Sequence, residues 1–137
     1  MLIDIVSNLD IDDATHLQVI GFFNNYSNLT TSCANSTDCD LTQLGQQYNG
    51  GAVDIYGVEA EVRHGFRGPW GLGFPVALTY TWTKTGFVEP VDSADPMIGA
   101  AEVGDELPYV PQHQGVFTVG MEHEAFYVSA AAKYVGA

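Results

Sequence analysis

The feature that most constrains this chain is a period of two. In residues 52–64, Tyr56, Val58, Ala60 and Val62 alternate with Gly57, Glu59, Glu61 and Arg63. Successive side chains of a β-strand point to opposite faces, so one face of this strand is apolar and the other polar and charged. Residues 74–87 repeat the pattern, with Val76, Leu78, Tyr80 and Trp82 set against Ala77, Thr79, Thr81 and Thr83. Residues 112–122 set Phe117, Val119 and Met121 against Gln114, Thr118 and Glu122. Residues 126–135 set Phe126, Val128, Ala130, Ala132 and Tyr134 against Tyr127, Ser129, Ala131 and Lys133. Residues 15–26 are rich in β-formers, but both faces are partly apolar. This pattern predicts five strands and no helix. For residues 1–14 the alternatives stay open: a short strand, a turn or a frayed end.

The connections alternate in length. Residues 27–51 form a long polar loop, 65–73 a shorter Gly- and Pro-rich link, 88–111 a second long loop, and 123–125 a tight turn. An up-and-down meander whose two ends face different environments has this asymmetry, and membrane β-barrels show it. A soluble sandwich does not. The expected fold is therefore all-β, an antiparallel meander forming a segment of a transmembrane barrel.

Composition agrees with that class. Charged residues make up 15% of the chain, where a soluble domain carries roughly 25%. Four Lys+Arg stand against 17 Asp+Glu, giving a net charge of -13. So acidic a chain repels phosphate backbones, which argues against nucleic acid as a partner. At 46% hydrophobic it is no disordered chain. No apolar run reaches the roughly 20 residues of a membrane helix. The acidic residues Glu89, Asp92, Asp95, Glu102, Asp105 and Glu106 gather in the second long loop, and the aromatics Tyr56, Tyr80, Trp82, Tyr134 and Phe126 gather at the strand ends. Rims of aromatics around an apolar band are the layout of a membrane girdle. On this reading Tyr56, Val58, Val62, Leu78, Tyr80, Trp82, Phe117, Val119, Phe126 and Val128 face lipid. Glu59, Glu61, Arg63, Thr79, Thr81, Thr83 and Thr118 face the lumen.

Sites of chemistry are few. Glu59 and Glu61 are two apart on one face, which suits paired polar wall residues better than an acid and a base. His123 sits between Glu122 and Glu124 in a turn, and His16, His64 and His113 are dispersed. Asp10, Asp12 and Asp13 lack the Gly and distal Glu of a calcium loop. The Gly-rich stretch at 65–73 has no phosphate-loop Lys. No catalytic residue, metal site or cofactor is expected, and the chain is not read as an enzyme. Cys33 and Cys39, in a polar loop, are expected to close a small disulfide, which fits an oxidising compartment.

Four segments in order resemble a family: FFNNYSNL (22–29), YNGGAVDIYGVEAEVRH (48–64), FPVALTYTWTKTGF (74–87) and GDELPYVPQHQGVFTVGMEHEAFYVSAAAKYVG (104–136). They resemble the C-terminal half of the β-barrel of TonB-dependent outer-membrane receptors, most of all the branch that takes up ferric citrate and other iron chelates. The resemblance covers 15–136, so residues 15–137 are read as a partial receptor barrel domain and 1–14 as a separate uncertain segment. It implies the bacterial outer membrane and an iron-chelate ligand. Gly57 is read as a lumen-face position without room for a side chain. Pro108 and Pro111 are read as holding Tyr109 and Val110 extended on entry to a strand near Gln112.

Receptors of this family have an N-terminal plug, a TonB-contacting box and 22 strands, whereas about five strands are legible here. Such a meander leaves two unpaired edges, each costly in a bilayer. The chain is therefore expected to be a wall segment, not transport-competent alone, or to pair its edges with copies of itself as a homo-oligomer. The alternative is a secreted or surface β-protein that self-assembles through those edges in a structural role.

Overall fold

A computed structural model describes residues 1–28, 30–32, 45, 47–49, 51–92 and 100–136. Cys33, Cys39 and Asp95 lie outside the described residues. Among the described residues ten strands are formed: β1 (Leu2–Asp12), β2 (Thr15–Tyr26), β3 (Thr30–Ser32), β4 (Gln47–Asn49), β5 (Val53–Arg67), β6 (Gly73–Phe87), β7 (Val91–Asp92), β8 (Ala100–Ala101), β9 (His113–His123) and β10 (Phe126–Gly136). Among the described residues there is no α-helix, only a single 3-10 turn at Pro69–Gly71.

Six long strands hydrogen-bond in the order β1-β2-β5-β6-β9-β10, an antiparallel meander that is not closed. The expectation of five strands is corrected by β1. Its alternation is real but broken: Ile3, Ile5, Leu9 and Ile11 share one face, where Ser7 interrupts them, and Leu2 and Val6 sit among Asp4, Asn8, Asp10 and Asp12 on the other. Residues 1–14 therefore supply a strand and half of a hairpin.

Three further expectations change. The strand flanking the Gly-rich link runs on to Arg67, so that connection shrinks to residues 68–72. The Pro108–Pro111 segment is not uniformly extended, because Tyr109 has φ 66. Pro108 presets the first central position of a turn and Tyr109 takes the left-handed second one, as in a type II turn. The strand then begins at His113, next to Gln112 as expected. The two long connections are also not plain loops: each contains a two-stranded ladder, β3 with β4 and β7 with β8.

Chain contacts divide the molecule into two units. The first comprises Met1–Ile3, Phe23–Tyr56 and Lys84–Val110. It holds a small apolar core of Val53, Phe87, Val91 and Ala101, with Ile55 and Leu107 packed against it. Backbone bonds from Phe87 N–H to the Asp105 carbonyl (3.0 Å) and from Val88 N–H to the Ala52 carbonyl (2.9 Å) tie this core together. The Leu107 N–H donates to Oγ1 of Thr85 at 2.8 Å, which satisfies a hydroxyl that is otherwise buried.

The second unit comprises Asp4–Phe22, Gly57–Thr83 and Pro111–Ala137. It contains the bodies of the long strands. Among its described residues no large apolar side chain is fully buried.

Candidate functional site

Register fixes which side chains share a face. Across β6 and β9, Val76 pairs with Val119, Leu78 with Phe117, Tyr80 with Gly115 and Trp82 with His113. Across β9 and β10, Met121 pairs with Val128, Val119 with Ala130, Phe117 with Ala132 and Gly115 with Tyr134. Directly paired residues lie on the same side of a sheet. Leu78, Tyr80, Trp82, Phe117, Val119, Phe126 and Val128 therefore share one face. Ala77, Thr79 and Thr81 pair with Thr118, Val116 and Gln114 on the other.

On β5 the polar residues are placed by their bonds. The Thr79 hydroxyl donates to Glu61 Oε2 at 3.4 Å, and Thr81 to Glu59 Oε2 at 3.5 Å. Arg63 Nε lies 2.5 Å from Glu61 Oε1, and its Nη2 donates to Oε2 at 3.2 Å. Arginine thus pairs along its own strand, two residues on, while the threonines reach across from β6. The five side chains form one polar patch. Thr83 is buried near the end of β6.

Glycine marks close approaches on this polar face. A Cβ on Gly57 would run into the Trp82 carbonyl oxygen and the Phe22 ring. Phe22 therefore lies on the polar face, beside Gly57. On β1 and β2, Gln18 donates to Asn8 at 2.8 Å, and His16 sits 2.6 Å from Asp10. Period two then puts Asn8, Asp10, His16, Gln18 and Phe22 on the polar side, and Ile3, Ile5, Leu9 and Ile11 on the apolar side.

The exposure of the two faces is the reverse of a water-soluble protein. Tyr56, Val58, Val62, Leu78, Tyr80, Phe117, Val119, Phe126 and Val128 are all exposed, Val128 by 59%. Glu59, Glu61, Thr79, Thr81 and Thr118 are half-buried. The charged carboxylates are drawn in against neighbours, while the large apolar side chains stay exposed.

At the short-turn end of the second unit the polar face hollows into a cleft of about 360 Å³, lined by Asp10, Asp12, His16, Arg63, His64 and Tyr127 among others. Asp12 accepts the Ala14 N–H at 2.8 Å and the Thr15 hydroxyl at 3.0 Å. Thr15 Oγ1 is 2.7 Å from His64 Nδ1. With its single proton directed to Asp12, Thr15 accepts from a ring protonated at Nδ1. These bonds hold the Asp12 carboxyl below its ordinary value, the Ala14 N–H most of all. Asp12 lies at the turn, beyond the apolar band. Among the described residues no group of three or more His, Cys, Asp or Glu is placed to hold a metal ion.

The family model described as TonB dependent receptor-like, beta-barrel matches residues 8–137. The chain belongs to that family. Membership places it in the bacterial outer membrane, and the family is non-enzymatic. No curated protein and no solved structure matches the chain. The receptor-barrel match includes the end of β1, which sequence alternation alone did not secure. It extends through the β9–β10 hairpin, whose two-residue turn is drawn in by the Ala125 N–H donating to His123 Nδ1 at 3.4 Å.

Proposed function

We propose that this chain is a wall segment of a receptor barrel for iron chelates of the ferric-citrate or siderophore type, with its wall completed by strands beyond both edges and no transport by the chain alone. The observation that carries the reading is the reversed exposure of the two faces. In water, the exposed tyrosines, valines and leucine would each leave apolar area unburied, at about 25 cal/mol per Å². In a bilayer the same residues meet acyl chains. Tyr56, Val58, Val62, Leu78, Tyr80, Trp82, Phe117, Val119, Phe126 and Val128 then contact lipid. Glu59, Glu61, Arg63, Thr79, Thr81, Thr83 and Thr118 line the lumen, where threonine hydroxyls and Arg63 satisfy the carboxylates. The iron-chelate ligand is supported by the resemblance of residues 22–29 and 104–136 to that branch of receptors.

Tryptophan fluorescence tests the facing. Trp70 is replaced by Phe so that Trp82 reports alone, and the chain is reconstituted in vesicles. Brominated lipid should quench Trp82; emission unchanged by bromination would refute the lipid-facing assignment. Retention of radiolabelled ferric citrate, or of a hydroxamate or catecholate chelate, on those vesicles tests the ligand class. If none is retained, the iron-chelate assignment fails while the wall assignment stands.

A further inference from the structure

We infer that His113 and His123 mark the two boundaries of the apolar band, where each donates its Nε2–H to a phosphate of the lipid headgroups. This rests on the lipid-facing reading and adds the chemical group that meets the sheet at each rim. The two histidines are the first and last residues of β9, and period two puts them on the face of Phe117, Val119 and Met121. Register agrees, because His113 is directly opposite Trp82 and His123 directly opposite Phe126.

The two sites are built alike. The His113 ring stacks on Tyr80 with centroids 6.2 Å apart and planes at 25°, and the His123 ring on Phe126 at 5.5 Å and 23°. In each ring Nδ1 is engaged. The Ala125 N–H, which can only donate, meets His123 Nδ1 at 3.4 Å. The Tyr80 hydroxyl meets His113 Nδ1 at 2.7 Å, and of those two groups the phenol is the acid and the imidazole nitrogen the base. With Nδ1 accepting in both rings, the proton of the neutral imidazole sits on Nε2. Among the described residues neither Nε2 has a hydrogen-bond partner, and both histidines remain partly exposed.

The spacing matches a bilayer. Ten residues of β9 separate the two rings, about 34 Å at about 3.4 Å per residue. A strand tilt of about 35–45° reduces this to about 24–28 Å along the membrane normal, against about 25 Å for the apolar band of outer-membrane barrels. Between the histidines this face of β9 carries Gly115, Phe117, Val119 and Met121, none of them charged. A donor placed deeper would sit in hydrocarbon with no acceptor. At the boundary the available acceptors are the headgroup oxygens, and the phosphate carries the negative charge that an N–H favours. Glu122 does not compete for His123, because it lies on the opposite face over Gly73, and Glu124 lies beyond the strand in the turn.

Solid-state nitrogen–phosphorus dipolar recoupling tests the contact. The native chain, with isotope-labelled histidine rings, is reconstituted in phosphatidylcholine vesicles, and the His113 and His123 signals are assigned by their loss in His113→Phe and His123→Phe. A hydrogen-bonded phosphate oxygen lies about 2.7–3.2 Å from the nitrogen, so both Nε2 signals should dephase. His16, held against Asp10 on the polar face, should not. Equal dephasing of His16, or none at His113 and His123, would overturn the inference. So would dephasing of either ring by inorganic phosphate in a phosphorus-free detergent, which would show an anion site in place of a headgroup contact. Absence of dephasing while brominated lipid still quenches Trp82 in the Trp70→Phe chain sinks the rim contacts and leaves the wall reading intact. Loss of both signals removes the wall reading and the inference with it.

Discussion

The Tyr80 hydroxyl lies 2.7 Å from Nδ1 of His113, although the residue directly opposite Tyr80 is Gly115. The contact is diagonal across β6 and β9. Gly115 offers no side chain, and the Tyr80 ring stacks against the imidazole with centroids 6.2 Å apart and planes 25° from parallel. On its other side Gly115 pairs with Tyr134, so two tyrosines flank one glycine in a single row.

Tyr80→Phe keeps the ring contact and removes the hydrogen bond. It should lower unfolding stability in detergent by about 1 kcal/mol, the net worth of an ordinary hydrogen bond. Chemical denaturation of the reconstituted chain measures it. If the two share one bond, His113→Phe should cost less in the Tyr80→Phe background than in the native chain; additive losses would refute the shared bond.

Gly57 and Gly115 should respond oppositely to alanine. A Cβ at Gly57 meets the Trp82 carbonyl, which is backbone and has no rotamer to escape into. Overpacking of this kind costs about 1–3 kcal/mol. A Cβ at Gly115 finds only the Thr79 carbonyl oxygen, at an ordinary 3.8 Å. Gly57→Ala should therefore destabilise clearly, and Gly115→Ala should be neutral or slightly stabilising because a glycine's freedom in the unfolded chain is removed. Equal midpoints for the two variants would contradict the close approach.

The alternation of β5, β6, β9 and β10 was legible because each keeps three or more apolar residues in phase, and the receptor-barrel family followed from the order of those segments. Strand β1 was not, because Ser7, Leu2 and Val6 blur its phase, and its facing becomes readable only through Gln18 and His16 on the neighbouring strand. The β3–β4 and β7–β8 ladders are two or three residues long and joined across long intervals, which no local periodicity records. The polar patch was legible as a list, but its wiring was not. That Arg63 serves Glu61 along the strand while Thr79 and Thr81 reach the carboxylates from β6 depends on register. The turn at Tyr109 was missed because flanking prolines were read as stiffening alone, whereas proline at the first central position also favours a left-handed residue after it.

Thr85→Val tests the loop-end core. Valine has nearly the shape of threonine, so packing beside Phe87 is retained while the Leu107 N–H loses its acceptor. An unsatisfied buried donor costs about 1–3 kcal/mol. Limited proteolysis should cut residues 100–110 faster in this variant, with the β9–β10 hairpin still protected. Unchanged cleavage would show that water replaces the hydroxyl without loss.

The β1–β2 turn should loosen in acid, and the sign follows from Asp12. Its carboxyl is more acidic in the folded chain than the ordinary 3.8, first through the Ala14 N–H and then through the Thr15 hydroxyl. A carboxyl depressed by folding contributes stability that is fully present above the unfolded value and is lost as pH falls through the folded one. Asp12→Asn keeps an oxygen acceptor for Ala14 but removes the titrating charge. Amide exchange at Ala14, corrected for its intrinsic pH dependence, should lose protection between about pH 5 and about pH 2 in the native chain and change less in Asp12→Asn. Equal losses in both would show that Asp12 is not the acid-sensitive group of this turn.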